Sequence, residues 1–212
     1  KNNLSGSLSI GGQEHYYLEG QVALAIPTED NEMVVYSSTQ NPTEVQHLVA
    51  HVLNVPHNAI EVITRRMGGG FGGKETDSSQ LACICAIFTQ QTLLPVKARL
   101  SRRDDILMTG KRHDFVVNYE VGFNNKGQIE GVKIDLAARC GYSLDLSKAI
   151  VSRALFHADN AYYLPNATFR GFLCKTNTAS NTAFRGFGGP QGMLAIENII
   201  EEIANNLGMD SL

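Results

Sequence analysis

Apolar and polar residues alternate over Phe115, Val117, Tyr119, Val121 and Phe123, which predicts a strand with one buried face. Asn124-Asn125-Lys126-Gly127 reads as a hairpin turn, and Ile129 to Ala137 as the returning strand. Shorter runs, Val22 to Ile26, Met33 to Ser37, Ile60 to Thr64 and the alternating Val96, Ala98 and Leu100, predict further strands. Ala167 to Lys175 is another, and Gln13 to Glu19, rich in polar groups and aromatics, is read as an edge strand.

Helical spacing predicts the rest. Asn41-Pro42-Thr43-Glu44 starts a helix with a cap, a proline in the first turn and an early acid. Val45, Leu48, Val49, Val52 and Leu53 form its apolar stripe, and Asn54 with Pro56 ends it. Thr76 to Gln90 is apolar over most of its circumference, which predicts a buried helix. Leu146 to His157 is a helix with Ala149, Ile150, Ala154 and His157 along one side, placing Arg153 inward beside them. The last helix follows Gly189-Pro190, turns Met193, Ile196, Ile199, Ile200, Ile203 and Leu207 inward, and stops at Gly208. Strands and helices mix without strict alternation, so the expected fold class is α+β, with mixed sheets and packed helices.

Two glycine-rich loops interrupt this pattern. Arg66-Met67-Gly68-Gly69-Gly70-Phe71-Gly72-Gly73-Lys74-Glu75 sets five glycines around one phenylalanine ahead of a helix. Asn181-Thr182-Ala183-Phe184-Arg185-Gly186-Phe187-Gly188-Gly189-Pro190-Gln191 has the same grammar. Such loops let a ligand approach the main chain and gather free N–H groups at the positive end of a helix dipole. Both predict an anionic or electron-rich ligand, and together suggest two walls of one pocket. Gly68-x-x-x-x-Gly73-Lys74 also fits a nucleoside-triphosphate loop. There the next residue is Ser or Thr, to hold magnesium; here it is Glu75, which would repel the γ-phosphate.

Composition narrows the classes. The chain has 212 residues, 43% hydrophobic and 18% charged, ordinary for a globular protein. A net charge of −3 without a basic run argues against a nucleic-acid partner. The longest apolar run, Leu81 to Phe88, is too short to span a bilayer. Cys83, Cys85, Cys140 and Cys174 form no C-x-x-C pair and fit a reduced, intracellular protein. His47 and His51, four apart, have a metal-ligand spacing but lie off the apolar stripe and read as solvated. Arg102-Arg103-Asp104-Asp105 reads as a charged surface turn, and Glu201-Glu202 as a solvated helix face. No nucleophile elbow or metal cluster stands out.

Gln13 to Glu19, Ser38 to Asn41, Gly68 to Glu75, Arg153 to His157 and Asn181 to Gln191 together resemble the molybdenum-binding region of xanthine dehydrogenases and oxidases, in that family's order and over essentially the whole chain. The resemblance implies a molybdenum–molybdopterin cofactor and hydroxylation of hypoxanthine and xanthine, in purine catabolism, with oxygen from water. It also implies electrons leaving through 2Fe-2S clusters and FAD to NAD, and an oligomeric assembly with those iron–sulfur and flavin modules. By this resemblance Gln40, Phe71, Gly72 and Arg185 contact the molybdenum cofactor, while Glu75, Arg153 and Phe187 bind the purine. The family's base glutamate falls beyond Leu212. Residues 1–212 then form the N-terminal part of the molybdopterin region, and this segment alone is expected to be inactive. Aldehyde oxidases, the sister group, usually lack the Glu75–Arg153 type of charged pair; an aldehyde oxidase-type hydroxylase is the alternative. A nucleotide-binding module and a purely structural assembly domain are the readings from other classes.

Overall fold

The computed structural model describes residues 2–211. Its strands are β1 (Asn2–Ile10), β2 (Val22–Pro27), β3 (Met33–Ser37), β4 (Ile60–Ile63), β5 (Val96–Arg99), β6 (Phe115–Phe123), β7 (Ile129–Gly141) and β8 (Ala167–Lys175). The α-helices are α1 (Pro42–Leu53), α2 (Ser78–Thr92), α3 (Arg102–Met108), α4 (Ser147–Phe156) and α5 (Gly189–Leu207). The fold is α+β, as expected, and the chain divides into two compact units. One is Glu14–Gly110; the other is built from the described residues on either side of it. Among the described residues no helix is long and apolar enough to cross a membrane.

The flanking unit carries a sheet in the order β1-β6-β7-β8. The alternation at 115–123 does what it predicts: Phe115, Val117, Tyr119, Val121 and Phe123 all face the core. The antiparallel register sets Val117 against Leu136 and Tyr119 against Ile134, which stacks one apolar face. α4 crosses over from β7 to its parallel neighbour β8. α5 adds Ile196, Ile199 and Ile203 to that core, while Met193 is exposed. Gly208 caps α5 in the left-handed conformation, as its position predicts.

The inner unit carries a sheet in the order β4-β3-β2-β5, with β3 and β4 parallel. Asn41 caps α1 by accepting the Glu44 N–H, and Asn54 ends it with φ near 55°. Its buried stripe is narrower than the sequence predicts: Val45, Val49 and Ala50 are buried, but Leu48 and Val52 are exposed. α2 is likewise half-covered. Leu81, Ala82, Cys85 and Ala86 face the core, while Ile84 and Phe88 stand in solvent. A helix laid on one sheet face meets protein on one side only, whatever the polarity of its far side.

Two further sequence expectations fail in this unit. Residues 13–19 form no strand. They run as irregular chain whose Tyr17 is buried and whose carbonyls at Tyr17 and Leu18 accept from Arg102. Asp105 is not part of a surface turn: it is buried within α3 and accepts from Tyr17 Oη at 2.6 Å, Gln21 N at 2.8 Å and Thr109 Oγ1 at 3.2 Å. Burial first, and Asp105 second, push the Tyr17 hydroxyl well above its usual pKa.

Candidate functional site

The first glycine loop folds around a tight turn. Gly73 N donates to Gly70 O at 2.8 Å, and the two central residues, Phe71 and Gly72, have φ of 54° and 101°. Positive φ at both central positions is the pattern of a type I′ turn. Gln40 holds this turn from the side. Its backbone N donates to Lys74 O at 2.8 Å, and its Oε1 accepts from Gly72 N at 2.9 Å and Lys74 N at 3.3 Å. With its carbonyl oxygen so engaged, the exposed Gln40 side chain offers its NH2, unpartnered among the described residues, as a donor. The Phe71 N–H also makes no hydrogen bond among the described residues. The Gly72 N–H, expected to serve a ligand, is instead given to Gln40.

The glycines have a different purpose from the one their number suggests. A Cβ at Gly68 would lie 2.5 Å from Glu19 Cβ, at Gly70 2.5 Å from Gln40 Oε1, and at Gly73 2.7 Å from the His15 ring. The room they leave is filled by the chain's own side chains rather than left for a ligand. Lys74 settles the phosphate-loop reading. Its side chain is fully buried, with Nζ donating to Glu19 O at 2.7 Å and Ser38 Oγ at 2.8 Å and lying 3.4 Å from Glu19 Oε2. A lysine so held cannot reach a phosphate. Burial draws its amine pKa down, with the Glu19 charge offsetting part of the effect. Glu75 is half-buried and has no hydrogen bond or ion pair among the described residues.

The second loop, in the flanking unit, repeats the turn with the same four residue types. Gly189 N donates to Gly186 O at 3.1 Å, and Phe187 and Gly188 have φ of 50° and 90°. Arg112 braces it: its Nη2 donates to Arg185 O at 2.8 Å, and its guanidinium lies 3.9 Å from the Phe184 ring centroid. The Arg185 guanidinium is exposed. A Cβ at Gly188 would overlap the Ile150 carbonyl oxygen, and one at Gly192 the Ala154 carbonyl oxygen. These glycines therefore let the loop and α5 close onto the backbone of α4. α4 buries Ser147, Ile150, Val151 and Ala154. Ala149 and Arg153 lie on its exposed side, against the sequence expectation, because the covered face is offset from the one that periodicity selected. Arg153 Nε donates to His157 Nε2 at 3.4 Å, and the His157 ring lies against Gly189, so Arg153 is still carried beside the loop.

At the base of α4, buried His113 pairs its Nε2 with Ser147 Oγ at 2.7 Å, and its carbonyl accepts from Gln191 Nε2 at 3.2 Å. Burial lowers the His113 pKa to about 4, with Asp145 and Asp114 opposing that shift. His47 and His51 are exposed, as expected, and His47 stacks on His57 at 4.3 Å between centroids. A cavity of about 1180 Å³ is lined by residues of β1, β6 and β7 and of the segment before β8, among them Asn3, Ser5, Glu120, Lys133 and Asn166. It contains none of the residues singled out above, and its lining mixes these polar groups with Leu4, Val121, Val132 and Pro165.

Among the described residues no three His, Cys, Asp or Glu side chains converge to hold a metal. In the Glu14–Gly110 unit the first loop offers the Gln40 NH2 and the Phe71 N–H as donors, and in the flanking unit the second loop offers the Arg185 guanidinium.

A family model described as the molybdopterin cofactor-binding domain matches residues 1–212. A xanthine dehydrogenase of Emericella nidulans is 51% identical over 205 residues, 96% of this chain and 15% of that protein. One from Dictyostelium discoideum is 47% identical over 98% of the chain, and a nicotinate hydroxylase of Emericella nidulans 48% identical over 98%; again each is covered to 15%. The chain thus spans about 15% of the length of these relatives. Among solved structures, the aldehyde oxidoreductase of Desulfovibrio gigas superposes with a TM-score of 0.88 at 26% identity, over 99% of this chain and 23% of that one. A carbon monoxide dehydrogenase of Oligotropha carboxidovorans gives 0.87 at 24% identity, over 100% and 27%, and speaks for the fold alone.

Proposed function

This chain belongs to the family of molybdopterin cofactor-binding domains, and from that premise we propose that it forms the N-terminal part of the cofactor region of a purine-oxidising molybdenum hydroxylase. The observation that carries the reading is the 47–51% identity to xanthine dehydrogenases across nearly the whole chain. When bound, the cofactor accepts two electrons and supplies a water-derived oxygen to an electron-poor ring carbon. In one unit Gln40, through its NH2, and the Phe71–Gly72 turn offer that group hydrogen bonds; in the other Arg185 offers a positive charge. Phe187 offers an aromatic face for the flat ring. Arg153 stabilises negative charge that builds on the ring during attack. Glu75 accepts or donates at a ring nitrogen or an exocyclic oxygen. The base is supplied from beyond Leu212, and iron–sulfur and FAD modules of an oligomeric, cytoplasmic enzyme pass the electrons to NAD.

The nicotinate hydroxylase relative favours a second reading, in which the ring is a pyridine carboxylate. An aldehyde substrate has weaker support, since the aldehyde oxidoreductase likeness is only 26% identical. The test is kcat/KM of the complete enzyme for xanthine, nicotinate and an aromatic aldehyde, with Glu75→Val and Arg153→Met forms. A lost hydrogen bond to a charged group costs about 1.5–3 kcal/mol, so each variant should lose roughly ten- to a hundredfold on xanthine and little on the aldehyde. Equal losses on both would overturn the purine roles, and turnover of nicotinate without xanthine would select the second reading.

A further inference from the structure

We propose that Glu19 and Lys74 are a positioning pair that fixes Gln40 and the Gly70–Gly73 turn in the shape that receives the cofactor. The inference rests on the reading above that this loop faces the cofactor.

The pair grips the loop at both ends. At the start, Glu19 N donates to Gly68 O at 3.1 Å, and Glu19 Oε2 accepts from Gly68 N at 2.7 Å and Ser38 Oγ at 2.9 Å. At the far end stands Lys74, whose buried ammonium returns to the Glu19 carbonyl and carboxylate and lies 4.7 Å from the Tyr17 ring centroid. The main chain of Lys74 carries Gln40: Lys74 O accepts the Gln40 N–H, and Lys74 N donates to Gln40 Oε1. Burying the lysine side chain therefore fixes the peptide units against which Gln40 is oriented. A buried ammonium is expensive unless it is paired and hydrogen-bonded, and an uncharged side chain could fill the same space. Its partner stays ionised: burial alone would raise the Glu19 pKa, but Gly68 N–H, Ser38 and Lys74 together hold it below the usual carboxylate range. The charge pair specifies geometry here, since both of its members also reach Ser38 Oγ, two residues before Gln40, and so tie the loop to the segment that carries Gln40.

A positioning pair acts through Gln40, and a double-mutant cycle detects that. The complete enzyme is prepared as Gln40→Ala, Lys74→Met and the double variant, and release of the pterin on dilution is followed by its fluorescence, alongside the rate of reduction by substrate. Each single change should speed pterin release roughly tenfold, and the double should release no faster than Gln40→Ala alone. Additive losses would overturn the proposal and leave the pair a role in stability only. If Gln40→Ala itself leaves release unchanged, the cofactor reading of the loop fails instead, which is a distinct result. Should Lys74→Met not fold, Glu19→Gln runs the same cycle, since it keeps an acceptor for Gly68 N and removes only the charge. Lys74→Arg, bulkier in a closed site, should not restore wild-type release; full rescue by it would show that charge alone matters, not geometry.

Discussion

Gly188 sits so close to Ile150 that a Cβ on the glycine would overlap the Ile150 carbonyl oxygen. Four residues on, Gly192 stands in the same relation to Ala154. The separation of α4 from the second glycine loop is thus set by two absent side chains, and with it the distance from Arg153 to Phe187.

Gly188→Ala should therefore be severe. The residue has φ of 90°, and added strain and overpacking each cost about 1–3 kcal/mol. Gly208, with φ of 64° and open space around it, makes a matched control, and Gly208→Ala should cost only about 1 kcal/mol. Urea denaturation of the two variants measures the difference. Similar midpoints would mean that α4 can move aside and that the spacing is not set by the glycines.

His113 should give the flanking unit a pH-dependent stability. Its folded pKa of about 4 lies below the ordinary histidine value of 6.5. The unfolded chain therefore binds the proton first as pH falls. The cost is absent above pH 6.5, grows between 6.5 and about 4, and reaches roughly 3 kcal/mol below that. In His113→Asn the slope of unfolding free energy against pH should flatten across this window. Carboxylates contribute the same slope to both forms, so the difference isolates the histidine, and parallel curves would remove the assignment.

Gln40 holds the first loop and, on the proposal above, donates its NH2 to the cofactor; one substitution can separate the two. Gln40→Glu keeps an oxygen to accept the Gly72 and Lys74 N–H groups but removes the NH2 donor. The loop should keep its protection from proteolysis, while reduction by substrate slows roughly ten- to a hundredfold. A normal rate of reduction would show that the amide does not face the cofactor.

Much of the fold was legible where the signal is local. The alternation at 115–123, the Asn41 cap and the Gly208 stop each report on a few neighbouring residues, and each matches the structure. Segment 13–19 and Asp105 were misread because what decides them is distant: Tyr17 meets Asp105 across 88 positions of chain. Before the fold exists, a buried carboxylate on a short helix looks like any surface acid. The glycine loops were recognisable as loops, but what fills them was not. Glu19, His15 and Gln40 reach the glycines from far upstream, and no spacing rule announces that. Arg153 was placed inward because apolar periodicity cannot see that backbone contact at Gly188 and Gly192 shifts the covered face of α4.

The repeated turn has an energetic consequence. Phe71 and Phe187 occupy left-handed backbone positions where glycine would rest without strain, at roughly 1–2 kcal/mol each. A chain selected only for stability would carry glycine at both sites, and would then present no ring at either. The same trade is made twice, with the same four residue types, once in each unit. Stabilising this protein by relaxing its backbone outliers would thus begin by erasing the two aromatic faces that its glycine loops present.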